Sequence, residues 1–268
     1  TCKVRGRLKQ KRFIIAAGDR VELDAAGDEG MITEILPRRN LLQRPLVANV
    51  DWLAAVFACA DPDPSFLLID KLLALAEAAN IPAVLVLNKA DLAPEGFFAR
   101  LEAVYAPLGY PVLQVEAKNG KGLDALLEKS RTARWCLAVL PGGKIHFIES
   151  PESGTFFKNR PGKRQNRPGP AYHPLCGTAA SRGSYIVDTP GFGNIDLAEL
   201  VMDDAAQGFR ELKARAGQCR FSGCTHTHEP DCAVKAAVAA GEIAASRYES
   251  YCMIRQELAA QKKRGQKS

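Results

Sequence analysis

The chain has 268 residues, 47% of them hydrophobic, with a formal net charge of +6 and a pI near 8.9. That is enough apolar surface for a core and length enough for about two domains, while no apolar run is long enough to span a bilayer. The start, Thr1 to Arg7, lacks the apolar segment of a secretory signal, so a cytoplasmic chain with no membrane partner is expected.

Residues 1–41 hold short strand-like runs broken by turns: Phe13-Ile14-Ile15, Gly18 to Leu23 and Met31 to Leu36. Several short strands in succession predict a small β-barrel. Lys3, Arg5, Arg7, Lys9, Lys11 and Arg12 concentrate positive charge here, and Lys262 to Lys267 do so at the other end. Such runs permit an acidic partner such as RNA. The chain opens on Thr1 rather than methionine, as a truncated product would.

From 42 to 203, apolar strand runs alternate with helical ones such as Leu68 to Ala79 and Leu123 to Ser130, the pattern of βαβ units. The run Ile81 to Leu87 reads as a buried parallel strand, and Asn88-Lys89-Ala90-Asp91 follows it at the carboxyl end, where open α/β sheets bind ligands. An aspartate there can accept from both N1-H and the exocyclic amine of guanine, a donor pair that adenine lacks. The Lys89 stem is expected to pack on the base, with Asn88 tying the loop to its neighbours. Val115-Glu116-Ala117-Lys118 ends the next apolar run and would back the base through Ala117 and Lys118.

Asp188-Thr189-Pro190-Gly191 closes the run Ser184 to Val187. Asp188 there would reach Mg²⁺ through water, and the Gly191 amide would meet a γ-phosphate. Phe192 stands where many GTPases carry a water-orienting glutamine, so another group would have to position the attacking water. The base-reading motif thus precedes Asp188-Thr189-Pro190-Gly191 by about a hundred residues, the reverse of the usual order. The core is therefore read as an α/β P-loop GTPase in circularly permuted order. The phosphate loop itself should read G-x-x-x-x-G-K-[ST]. Leu140-Pro141-Gly142-Gly143-Lys144-Ile145 stands in its place, leaving Gly142, Gly143 and Lys144 as phosphate-binding candidates.

Residues 204–268 are read as helical, with Ala233 to Ala240 and Ile243 to Gln261 as helices around a C-x4-C-x-H-x5-C cluster. Cys219, Cys224, His226 and Cys232 supply three thiolates and an imidazole, a closed tetrahedral set for one structural Zn²⁺. His228 is an alternative fourth ligand.

Taken together, these residues resemble the RsgA/YjeQ family of circularly permuted GTPases, which act in late maturation of the small ribosomal subunit. The match rests on Arg5 to Gln10 with Gly18 to Val21, on Leu36 to Asn40 with Arg44-Pro45, and on Ala48-Asn49-Val50-Asp51. It continues through Asn88 to Leu92, Asp188 to Phe192, Cys219-Arg220-Phe221, Glu229-Pro230 to Cys232, and Arg247 to Tyr251. The resemblance implies an OB-fold barrel at 1–41 lacking its first strand, a GTPase domain at 42–203, and a zinc-binding helical domain at 204–268. It also implies GTP and GDP with Mg²⁺, His226 as the fourth zinc ligand, and small-subunit rRNA as partner. A monomer is expected.

Only the stretch 134–182 departs from the family pattern. Written back into permitted codons and read one nucleotide later, Gly143 to Glu152 allows the peptide GKSTLLNRLN, a phosphate loop entering its helix. Asn166 to His173, read on into the following codon, likewise allows TGRGRHTTR, a switch sequence of the kind the resemblance implies. The stretch is therefore read as shifted in frame, with the frame regained by Gly183. Two functional readings follow: a GTPase of ribosome assembly, or a non-catalytic RNA-binding relic with a damaged phosphate loop and switch.

Overall fold

The protein is described from a computed structural model, which covers residues 2–4, 14–26, 29–43, 46–130, 133–140, 146–150, 154–158, 177–181, 184–189, 197 and 202–265. At the amino end, β1 (Cys2–Val4), β2 (Val21–Ala26) and β3 (Glu29–Ile35) form a three-stranded sheet in the order β1-β3-β2. Ile14 and Ile15, expected in a strand, lie instead in loop backbone, with Ile14 68% exposed; Phe13 is outside the described residues. The apolar run there is too short to hold a strand without a partner ladder. A second small ladder pairs β4 (Leu41–Gln43) with β5 (Leu46–Ala48).

The alternation of apolar strands and helices builds the larger part. In chain order it runs β6 (Trp52–Ala58), α1 (Phe66–Ala78), β7 (Ala83–Asn88), α2 (Phe97–Tyr105), β8 (Val112–Gln114), α3 (Leu123–Ser130) and β9 (Arg134–Val139). A hairpin, β10 (His146–Ser150) with β11 (Gly154–Lys158), precedes β12 (Gly177–Ser181) and β13 (Ser184–Thr189). The six-stranded sheet has the order β12-β13-β9-β6-β7-β8, and only β12 is antiparallel to its neighbour. Residues 134–139, set by the sequence within the irregular stretch, are thus a regular central strand.

Strand periodicity divides the core into two. Leu53, Ala55 and Phe57 of β6, with Leu85 and Leu87 of β7, face the cluster filled by α1 and α2. Ala54, Val56, Val84 and Val86 face the other cluster, filled by Leu123 and Leu126 of α3 and by Trp135 and Leu137 of β9. Helices on both faces explain why β6 and β7 are apolar without alternation.

A 3₁₀ segment (Met202–Gly208) leads to α4 (Arg210–Ala216), α5 (Ala233–Ala239) and α6 (Ala245–Gly265). Phe209, Val234, Tyr251, Ile254 and Leu258 join the same core cluster as α1. The helical part therefore shares its core with one face of the sheet.

Where the amino-terminal ladders meet the sheet, Asp51 joins three segments. Its carboxylate accepts from the Arg39 guanidinium and, at 2.8 Å, from the Arg134 amide, while Arg134 donates to the Gly18 carbonyl at 3.2 Å. Partial burial opposes the Asp51 charge, but the Arg134 amide and the Arg39 guanidinium outweigh it and lower the carboxyl pKa. Asn49 and Asn40 complete this clasp: Asn49 accepts from the Arg39 amide at 2.9 Å, and Asn40 bonds both polar groups of the Val50 backbone at 2.8 Å.

Candidate functional site

Five parallel strands, β13, β9, β6, β7 and β8, deliver their carboxyl ends to one edge of the sheet. Asn88 is the last residue of β7 and is 1% exposed. Its Oδ1 accepts from the Lys89 amide at 2.8 Å and from the Ala117 amide at 3.1 Å, locking two loops together. Among the described residues, its buried Nδ2 has no hydrogen-bond partner. An unpaired buried donor is costly, and at the mouth of a sheet it points to a ligand.

Lys89 takes a left-handed backbone, φ 57°, which turns the chain into the 3₁₀ turn Ala90–Leu92. Its ammonium donates to the Ala60 carbonyl at 3.2 Å and to the Asp61 carbonyl, so the loop after β6 forms one wall of the site. That wall was not legible from the motif. Asp91 is exposed in the middle of this turn. Its charge is felt nearby: burial first, then Asp91, pushes the Cys59 thiol up to about 11.

The second loop, 115–122, is a tight reversal. Glu116 and Lys121 pair across it, with an ion pair of 2.8 Å, and the Val115 amide donates to the Leu87 carbonyl at 2.8 Å. Gly122 has φ +77° and a Cβ there would lie 2.2 Å from the Gln114 carbonyl oxygen, so only glycine fits. Ala117 is buried behind the site and Lys118 is exposed beside it. Asn88, Lys89, Asp91, Ala117 and Lys118 thus come together on adjacent loops.

At the middle of the same edge, Leu140 follows β9 and donates its amide to the Val56 carbonyl at 2.8 Å. The chain there enters Pro141. Gly142, Gly143 and Lys144 lie outside the described residues, as do Gly191 and Phe192. Asp188 stands in β13 opposite Leu137 of β9, one strand from the phosphate-loop position.

A separate cluster forms between α4 and α5. Cys219, Cys224, His226 and Cys232 bring their ligand atoms within 4.8 Å of one another. The Sγ atoms of Cys219 and Cys232 are 3.9 Å apart, and each is 3.5 Å from His226 Nδ1. Tetrahedral zinc with Zn–S of about 2.3 Å and Zn–N of about 2.0–2.1 Å requires S···S near ~3.8 Å and S···N near ~3.6 Å. The donor set and spacing therefore fit Zn²⁺ with Nδ1 as the imidazole ligand. His228 turns away, its side chain 83% exposed and its Nδ1 3.0 Å from the Thr227 hydroxyl.

The cluster is braced by groups to which the sequence had assigned no role. Glu229 accepts from the Thr225 amide at 2.8 Å, the Thr225 hydroxyl at 2.6 Å and the Thr227 amide at 3.1 Å. Burial works against its charge, yet the Thr225 hydroxyl and these amides hold the carboxyl well below the usual range. From α6, Tyr248 donates to the His226 carbonyl at 2.8 Å and Tyr251 to the Thr225 carbonyl at 2.7 Å. The one available signal was the segment Arg247 to Tyr251, two tyrosines three apart on a helix otherwise rich in polar residues.

Comparison with known proteins agrees with this geometry. The sequence profile of the RsgA GTPase family matches residues 35–143. The small ribosomal subunit biogenesis GTPase RsgA of Moorella thermoacetica is 36% identical over 268 residues, covering 98% of this chain and 91% of its own. The protein of the same name from Thermotoga petrophila is 37% identical over 272 residues, covering 98% and 90%. The crystal structure of YjeQ from Thermotoga maritima superimposes with a TM-score of 0.75 at 32% identity, over 96% of this chain and 89% of that one. YloQ, described as a circularly permuted GTPase, gives a TM-score of 0.76 at 26% identity, over 97% and 86%.

Proposed function

Because the chain belongs to the RsgA GTPase family, we propose that it binds and hydrolyses GTP in the late maturation of the small ribosomal subunit. The observation that carries this is Asn88. It fixes two adjacent loops through one oxygen, its amide nitrogen has no partner among the described residues, and the Asp91 carboxylate beside it is exposed, as a group that reads guanine must be.

The assigned roles follow from position. Asp91 accepts from the two guanine donors, Lys89 and Ala117 flank the ring, and Lys118 borders it. Phosphate contacts fall to Gly142, Gly143 and Lys144 after β9, and to Gly191 after β13. Asp188 would hold Mg²⁺ through water, and the ion would neutralise phosphate charge as it develops. Zn²⁺ on Cys219, Cys224, His226 and Cys232 would be structural, since four protein ligands leave no position for water. The amino-terminal strands are assigned to an OB-type barrel that, with the zinc module, contacts rRNA. We assign the boundaries 1–41, 42–203 and 204–268 to these parts, in a cytoplasmic monomer.

We also propose that the codons following β9 carry a shifted frame, restored by Gly183. Codons across 143–183 incompatible with GKSTLLNRLN and TGRGRHTTR would end that idea. The function is tested by titrating guanine and adenine nucleotides and by measuring turnover with and without small ribosomal subunits, in parallel for this chain and for one with the frame restored. Guanine preference in both, and subunit-stimulated turnover in the restored chain, are expected. Equal binding of adenine nucleotides, or no turnover in either chain, sinks the assignment.

A further inference from the structure

Helix α6 presents more than the face it buries. Arg247, Ser250, Tyr251, Ile254 and Leu258 point into the core. On the adjoining flank, Tyr248, Cys252, Arg255, Gln256 and Ala259 recur at helical spacing, and with Thr227 of the metal loop they line a groove of about 370 Å³. The Tyr248 hydroxyl is already committed to the His226 carbonyl, so the ring is held in place and its side is what the groove offers. Gln256 adds an exposed amide that can both donate and accept.

The same helical rows continue beyond the groove. Three and four residues past Ala259 stand Lys262 and Lys263, followed by Arg264, all exposed. Of the two acids on α6, Glu257 is paired with Lys71 and Glu249 lies about four turns from the lysines. An aromatic wall therefore runs directly into a positive strip on the same helix, for which no acidic partner stands among the described residues.

We propose that this groove receives an unpaired nucleobase of single-stranded RNA, with the neighbouring phosphates on Lys262 and Lys263. The inference rests on the proposed ribosomal role and names the surface that would serve it. A groove of this size has room for one base, and only an unpaired base is free to enter it. Stacking on an aromatic ring tolerates any base, and a tracking row of cations fits the backbone that follows it. Acidic side chains would use the lysines but offer no aromatic face to the Tyr248 wall.

The test uses the full chain and a labelled ten-nucleotide single-stranded RNA, with a duplex of equal length, in anisotropy titrations over a range of salt. Ala259→Trp fills the groove from a half-buried position, and a Lys262→Gln, Lys263→Gln pair removes the charge. Zinc content and guanine-nucleotide affinity serve as folding controls. The parent should prefer the single strand, Ala259→Trp should weaken it about tenfold, and the lysine pair should lower the salt slope by about 1.4. Variants that bind RNA like the parent, or a parent that prefers duplex, overturn the groove assignment while the ribosomal role stands if subunits are still bound. Binding of neither RNA nor subunits by the parent overturns both. Weakened subunit binding by the variants without any binding of naked RNA makes the occupant a protein and rejects RNA.

Discussion

Arg247 and Asp70, 177 residues apart in the chain, form an ion pair of 2.5 Å in which each side chain is only 1% exposed. The arginine also donates to Glu211 at 2.7 Å and lies 4.5 Å from the Phe209 ring centre, while Asp70 accepts from Tyr105 at 2.7 Å. One guanidinium thus ties α6 to α1 and α4, and through Asp70 to α2. Because Tyr248 and Tyr251 on the same helix bond the loop of the Cys/His cluster, that cluster and one face of the sheet are joined through one packed core.

Removing one partner of such a network leaves buried charge behind. Arg247→Met should destabilise the fold by about 3–5 kcal/mol, read from urea unfolding. Asp70→Asn combined with it should cost less than the sum of the two single changes. Strict additivity would show that the pair is not coupled.

The two histidines of the metal loop should behave oppositely. His226→Ala and Cys224→Ser are expected to lose stoichiometric zinc and loosen α5 and α6, whereas His228→Ala keeps the metal, as measured by metal content and near-ultraviolet dichroism. Full zinc in Cys224→Ser rejects the site.

In the role proposed for it, Asp91 would supply two acceptors to guanine. In Asp91→Asn one becomes a donor, so guanine-nucleotide affinity should fall at least about 100-fold, and xanthine, which presents a carbonyl in place of the exocyclic amine, should gain. Competition titration with GDP and XDP measures this. An unchanged preference for GDP excludes Asp91 as the base reader.

Asp51 sets an acid limit on the clasp between the small ladders and the sheet. Its folded pKa lies below the unfolded value of about 3.9, so the stability it contributes is present above about pH 4 and is lost as pH falls through the folded value. Asp51→Asn should cost about 1 kcal/mol at neutral pH, with the difference from the parent vanishing in acid. A gap in urea midpoint that is constant from pH 7 to 3 would count against the carboxylate.

Much of this chain can be read locally. Asn88 to Asp91, Asp188 and the Cys219 to Cys232 spacing are contiguous signals, and strand and helix periodicity needs no partner to be recognised; α3 spans Leu123–Ser130 as read. The order of the two nucleotide motifs, with these spacings, was sufficient by itself to indicate the family. Other features exist only because distant segments meet. Nothing near Asp70 marks it as the counter-charge of Arg247, and nothing in Asn88-Lys89-Ala90-Asp91 shows that the lysine leans on the carbonyls of Ala60 and Asp61. The preference for His226 over His228 was already implied by the resemblance, and the geometry adds its reason: His226 Nδ1 lies 3.5 Å from two thiols while the His228 side chain is 83% exposed. Short-range chemistry is written in the sequence, whereas burial, pairing and ligand direction depend on contacts that the chain makes only once it has closed on itself.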